Sequence, residues 1–230
     1  MGGLMPARIL SLLLTMLTLS QGAVTAYVDD MSLGGYLFLV NREYAISSDY
    51  VPNDLTEPKV LGGGEATRMR RDAALALEEM FEAAKEDGVY LSAVSGFRSY
   101  GQQAAIHERK IQLKGKKEAL RVSAPPGCSE HQLGLAMDLG TKKSIKLNES
   151  FGRTPEGQWV ADNCWRFGFI VRYKAEWEDV TGYAYEPWHI RYVGKEHAKV
   201  IYDLDIPFET YIAQLRDAFW TVGPEGEDTQ

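Results

Sequence analysis

The chain has 230 residues, 45% of them hydrophobic and 25% charged, with five Trp and twelve Tyr. That is a globular composition with ample material for a core, and it excludes a largely disordered chain. The formal net charge of -7 argues against nucleic acid as a partner, because phosphate binding needs a basic face. One well-placed Arg still suffices for a small anionic ligand.

At the N-terminus, residues 9–19 form an apolar run broken only by Ser and Thr. It follows a start with the single basic side chain Arg8 and precedes the small-residue stretch 22–26. This is the layout of a secretory signal, with cleavage expected after Ala26. The run is too short and hydroxyl-rich for a membrane span, which needs about 20 apolar residues; an uncleaved anchor, and with it membrane attachment, is the alternative. No Cys follows the run, so a lipid anchor is not indicated. Residues 27–222 are then expected to form one domain, and residues 223–230 an acidic tail.

Residues 36–40 (YLFLV) read as a buried strand, and residues 41–59, with Pro52 and Pro58, as an extended connection. After the Gly62-Gly63-Gly64 punctuation, residues 65–87 carry apolar positions on one helical face, with Gly88 placed to end the helix. Residues 89–94 read as a strand and 100–113 as a helix stopped by Gly115; a short basic helix follows at 116–121. Residues 135–139 read as a strand, 154–167 as a helix stopped by Gly168, and 169–173 and 188–193 as strands. Helices at 195–202 and 207–219 close the chain. The pattern predicts an α+β fold, a small and mainly antiparallel sheet with helices packed against it.

Four His stand in the chain: His107, His131, His189 and His197. The stretch SEHQLGLAMD brings His131 and Asp138 together, with Gly134 allowing a turn between them and the small Ala136 permitting close packing. A second segment, EPWH, supplies Glu186 and His189 at the entry to a strand. Imidazole nitrogen and carboxylate oxygen both suit zinc, and three protein ligands leave a fourth position open, as catalysis requires. Each segment alone is a weak signal; an isolated His is more often a surface or hydrogen-bonded core residue. Their co-occurrence with SGFRSYGQQ carries the reading. His107 and His197 read as surface residues. Tyr183 and Tyr185 read mainly as packing, and Trp188 as either core or groove wall.

SGFRSYGQQ (95–103), SEHQLGLAMD (129–138) and EPWH (186–189) resemble the three signatures of the VanY-type D-alanyl-D-alanine carboxypeptidases. That wider family of zinc peptidases includes VanX-type dipeptidases and the LD-carboxypeptidase LdcB, and shares its fold with the hedgehog signalling domain. The match runs from about residue 36 to residue 219. One departure is Phe97, where a Tyr is common. The resemblance implies one zinc ion held by His131, Asp138 and His189, with Glu186 as general base and acid. It also implies Arg98 as a contact to the developing oxyanion or the substrate carboxylate, and Gln103 and Ser129 as further holders of that carboxylate. The implied activity is removal of the C-terminal D-alanine from peptidoglycan stem peptides outside the bacterial cytoplasm. An LD-carboxypeptidase and a cell-wall endopeptidase are alternatives within the family, and a non-catalytic zinc-bearing domain is the alternative of another class.

Cys128 and Cys164 complete the reading. In an exported protein such a pair fits a disulfide, which here would brace the loop before His131. Two buried free thiols are the other reading; zinc ligation is disfavoured because no CxxC pair exists.

Overall fold

The computed structural model describes residues 31–221, and side chains as far as residue 217. The signal and acidic-tail expectations lie outside these residues. The described residues fall into two compact units. One comprises residues 31–39 together with the C-terminal helix (Phe208–Thr221), and its buried side chains include Leu37, Phe208 and Ile212. The other, residues 40–207, carries the sheet and every residue the motifs single out. No helix of the described residues is long and apolar enough to cross a membrane.

Residues 36–40, expected as a strand, form turns and irregular backbone. The segment is apolar because Leu37, Leu39 and Val40 are buried, and a short apolar run does not by itself distinguish a strand from a buried loop. The first pairing is instead a small ribbon of β1 (Leu55–Thr56) with β2 (Met69–Arg70). Thr67 explains why the next helix begins later than expected. Its Oγ1 accepts from Gly64 N and donates to Gly64 O, both at 2.9 Å, closing a separate 3₁₀ turn over Glu65–Thr67. Helix α1 (Arg71–Glu86) then buries Ala73, Leu77, Met80 and Ala84 along one stripe.

Strand β3 (Leu91–Ser95) leads to helix α2 (Tyr100–Lys114), opened by a capping box in which Ser99 and Gln102 satisfy each other's backbone N–H groups. Helix α3 (Lys116–Val122) follows Gly115. Strand β4 (Ala136–Thr141) is buried at all six positions. Thr154 caps helix α4 (Pro155–Asn163), with Pro at its first turn, and a tight turn over Cys164–Phe167 ends at Gly168. Strand β5 (Phe169–Tyr173), the short helix α5 (Glu178–Thr181), strand β6 (Glu186–Tyr192) and helix α6 (Lys195–Leu204) complete this unit.

The main sheet has the order β3-β4-β6-β5, antiparallel throughout. This is the predicted α+β arrangement. Two irregularities position the chemistry. Between Ala93 and Ser95, β3 carries one residue more than β4 opposite. Between the pairs Val171↔Ile190 and Tyr173↔Glu186, β6 carries two residues more than β5. Bulges bend a strand and re-aim its side chains, and both of these border the site.

Candidate metal centre and substrate cleft

Asp138 of β4 and His189 of β6 are direct cross-strand partners on the two central strands. His131 comes from the 3₁₀ turn Glu130–Leu133, which Gly134 ends with φ 68, in the left-handed region, so that the chain reverses into β4. All three side chains are buried, and their ligating atoms lie within 4.8 Å of one another. Asp138 Oδ2 is 3.3 Å from His131 Nε2, and Asp138 Oδ1 is 3.0 Å from His189 Nδ1. The two imidazoles meet edge to face, with centroids 4.9 Å apart.

The outer nitrogens decide whether this set fits a metal. His131 Nδ1 lies 2.7 Å from Gly96 O; the carbonyl can only accept, so Nδ1 carries the proton and Nε2 presents its lone pair inward. His131 Nε2 is buried without a hydrogen-bond partner among the described residues. His189 Nε2 lies 3.3 Å from Glu130 Oε2, which leaves Nδ1 on the Asp138 side. Two imidazoles and one carboxylate thus converge, each imidazole with an acceptor at its back, and once His189 has released its proton on the Asp138 side this donor set fits zinc.

Two of the three charge states suit that fit directly, and the third, His189, requires loss of a proton. Burial, joined by the Arg98 guanidinium, pushes His131 down to about 4, so its imidazole is neutral. Burial opposes ionisation of Asp138, but His131 and His189 outweigh it and hold the carboxyl well below the usual range. Burial would lower His189, yet Asp138 and Glu130 raise it to about 9; metal binding therefore displaces a proton from this ring.

Glu186 and His189 stand an odd number of positions apart, and a regular strand would send them to opposite faces. The β5–β6 register is irregular over this stretch, so regular alternation does not apply, and both side chains line one cleft of about 250 Å³. Burial pushes the Glu186 carboxyl up to about 7, with Asp138 adding to the effect and His189 and Arg98 opposing it. The same cleft is lined by Arg98, Gln103, Ser129, His131 and Asp138, so all seven motif residues converge on it. Arg98 reaches within 3.8 Å of Asp138 Oδ2. Gln103 donates from Nε2 to Ala124 O at 2.7 Å. Arg98 Nε, Gln103 Oε1 and Ser123 Oγ are buried without hydrogen-bond partners among the described residues. Each such group costs roughly 1–3 kcal/mol, an arrangement suited to a polar ligand.

Several residues of the site carried no assignment from sequence. Ser123 lies in a loop outside the motifs. Lys110 faces the cleft one stripe along α2 from Gln103 and Ile106. Glu130 stands inside SEH, yet its partners Arg172 and Arg191 are distant in sequence; a lone Arg in each of two short strands was the available signal. Trp188 lines the cleft, as does Tyr183, whose ring lies under the Arg42 guanidinium. His107, expected at the surface, is buried one turn after Gln103, and His197 is partly buried. Cys128 and Cys164 are free buried thiols and form no disulfide; burial pushes Cys164 up to about 12.

A sequence profile of the family described as VanY, D-alanyl-D-alanine carboxypeptidase, matches residues 66–195. Over 185 residues the chain is 48% identical to the putative carboxypeptidase YodJ of Bacillus subtilis (strain 168), covering 78% of this chain and 68% of that protein. It superposes on the LdcB LD-carboxypeptidase with a TM-score of 0.72 at 48% identity, covering 76% of this chain and 84% of that one. A variant of the vancomycin resistance D,D-pentapeptidase VanY in complex with Zn(II) superposes with a TM-score of 0.65 at 34% identity, covering 77% and 98%.

Proposed function

The chain belongs to the VanY-type D-alanyl-D-alanine carboxypeptidase family, and from that premise we propose that it is a zinc-dependent carboxypeptidase releasing the C-terminal D-alanine of peptidoglycan stem peptides. The observation that carries the proposal is the meeting of a three-ligand donor set, a carboxylate held near neutral pKa and a partly buried guanidinium in one cleft. Peptidoglycan lies outside the cytoplasmic membrane, so the proposed place of action is extracytoplasmic.

His131, Asp138 and His189 would hold one zinc ion. When bound, zinc supplies a Lewis acid for the scissile carbonyl and for the attacking water. The Glu186 carboxylate takes a proton from that water and delivers it to the departing amine as the amide C–N bond breaks. Burial keeps its basicity high enough to accept the proton and its acidity high enough to return it. Arg98, with its planar fork of donors, binds the free terminal carboxylate or meets the charge growing on the carbonyl oxygen. Gln103 and Ser129 line the same end of the reaction as further carboxylate holders.

The cleft does not stop at a dipeptide's length. It adjoins a second cavity of about 430 Å³ that shares Lys110, Glu186 and Trp188 with it and adds Lys114 and Arg153. A longer acyl portion has room there, which supports a carboxypeptidase over a dipeptidase. Two bonds remain as substrates, the D,D bond of a pentapeptide stem and the L,D bond of a tetrapeptide stem. The higher identity to the LD-carboxypeptidase, 48% against 34% for the D,D-pentapeptidase, favours the L,D bond. The large adjoining cavity supports the same choice, since an L,D bond places a long third-position side chain beside the reacting centre where a D,D bond places a methyl group. Mass spectrometry of products from defined pentapeptide and tetrapeptide stems decides: alanine lost from the tetrapeptide supports the L,D reading, loss from the pentapeptide alone supports the D,D reading, and loss from neither removes the proposed activity.

A further inference from the structure

Glu130 is 1% exposed, and Arg172 and Arg191 are fully buried. Its Oε1 lies 2.8 Å from Arg172 Nε and 3.1 Å from Arg191 Nη1, while its Oε2 lies 3.3 Å from His189 Nε2. One carboxylate therefore spends one oxygen on two guanidiniums and the other on the proposed metal ligand. The fold provides for this. Arg191 shares a face of β6 with His189, two residues away, and its cross-strand partner is Ala136, whose single methyl leaves space for the guanidinium. Arg172 sits at the β5–β6 irregularity between Val171 and Tyr173.

Burying three ionised side chains for stability alone is a poor exchange, since an apolar cluster of the same size serves as well or better. What this cluster achieves, and an apolar one cannot, is an anionic acceptor at a fixed place behind one imidazole. We propose that Glu130 is a positioning residue for the metal centre: it accepts the Nε2–H of His189 and so fixes the tautomer and ring orientation that turn Nδ1 toward Asp138 and His131. Arg172 and Arg191 hold that carboxylate in place. His131 receives the equivalent service from the Gly96 carbonyl, so the two imidazoles are oriented by different means, one by backbone and one by a buried ion cluster. An anionic acceptor also raises the basicity of the ring it holds, which strengthens ligation.

The test titrates Zn²⁺ against a chromophoric chelator for the full chain and for Glu130→Gln, with thermal unfolding alongside. Glu130→Gln is expected to bind Zn²⁺ about 10–100-fold more weakly. A folded variant that melts earlier but keeps the wild-type affinity has lost a structural contact only, and that result overturns the proposal. Should the substitution prevent folding, the wild-type protein answers alone. Long-range proton–nitrogen NMR of its Zn²⁺-loaded histidines is expected to show His189 protonated at Nε2 and metallated at Nδ1; metallation at Nε2 overturns the proposal. The inference rests on the zinc reading above. A wild-type chain that binds no Zn²⁺ sinks that reading, whereas an unaltered variant affinity or Nε2 ligation sinks this inference alone.

Discussion

Asp138 and His189 face each other in register across the two central strands, with Oδ1 and Nδ1 3.0 Å apart. The backbone ladder thereby sets the spacing of the two proposed ligands without a metal, and rigid elements hold a site more tightly than loops. The third proposed ligand, His131, depends on a turn and on the Gly96 carbonyl. Removing the metal should therefore leave the sheet folded. We expect chelation to abolish D-alanine release and added Zn²⁺ to restore it, with circular dichroism unchanged in the apo protein. The zinc-loaded protein should melt higher, by an amount equivalent to about 2.7 kcal/mol at a free zinc concentration 100 times Kd. Activity that persists after zinc has been removed to below stoichiometric traces contradicts the metal assignment.

Glu186→Gln separates the base from the metal. The amide is nearly isosteric but cannot take a proton, so zinc content should remain at the wild-type level while kcat falls by about 10²–10⁴-fold. If Glu186 is the base, the acid limb of the wild-type rate profile should belong to this carboxyl: protonation removes the base, and activity falls as pH drops. Burial places the carboxyl at about 7 in the metal-free protein, and a neighbouring dication favours the charged form. The limb should therefore lie below pH 7. Near wild-type turnover in the variant shows that another group takes the proton.

Arg98 carries a prediction about substrate charge. A free terminal carboxylate offers two oxygens to the guanidinium fork, and a C-terminal amide offers one acceptor and no charge. The wild-type enzyme should strongly prefer the free acid. Arg98→Lys retains the charge but loses the fork, and kcat/KM should fall by a factor equivalent to roughly 1–3 kcal/mol. Arg98→Ala should also flatten the preference for acid over amide, with zinc content unchanged. Competition kinetics on paired acid and amide substrates reads this directly, and a preference that survives in Arg98→Ala moves the carboxylate contact elsewhere.

The motif residues were legible because their chemistry is rare and their order is preserved; the structure gathers all seven around one cleft. Most helices and strands were legible from periodicity and punctuation, as with Gly168 ending one segment and 169–173 forming the next. Periodicity failed where a surface is neither core nor solvent. Helix α2 turns Gln103, Ile106 and Lys110 toward a polar cleft, so its apolar residues do not mark its inner face, and Leu113 stays 70% exposed. The same pattern made His107 look solvated. The strand bulges left no sign in sequence, because the two extra residues in β6 are visible only against its partner β5. The Glu130 cluster was no more legible as a unit, because Glu130 stands 42 residues from Arg172 and 59 from His189 and meets them only once its 3₁₀ turn packs against the sheet.

Gly96 ties backbone geometry to the proposed ligand His131. A Cβ placed there would stand 2.4 Å from Arg68 O and 2.7 Å from Thr67 O, both backbone atoms that cannot swing aside. The residue is also pinned through its N–H to Ala66 O at 2.9 Å, so the added methyl must displace the strand end or the turn. Either movement carries the Gly96 carbonyl away from His131 Nδ1, which it now meets at 2.7 Å. Overpacking of this kind costs about 1–3 kcal/mol. Gly96→Ala should thus lower thermal stability and weaken Zn²⁺ binding together. Ala66→Gly, which leaves the carbonyl partner of Gly96 in place, serves as the control and should retain wild-type zinc affinity. A Gly96→Ala protein that is less stable yet binds Zn²⁺ as tightly as wild type would show that His131 holds its orientation without the carbonyl.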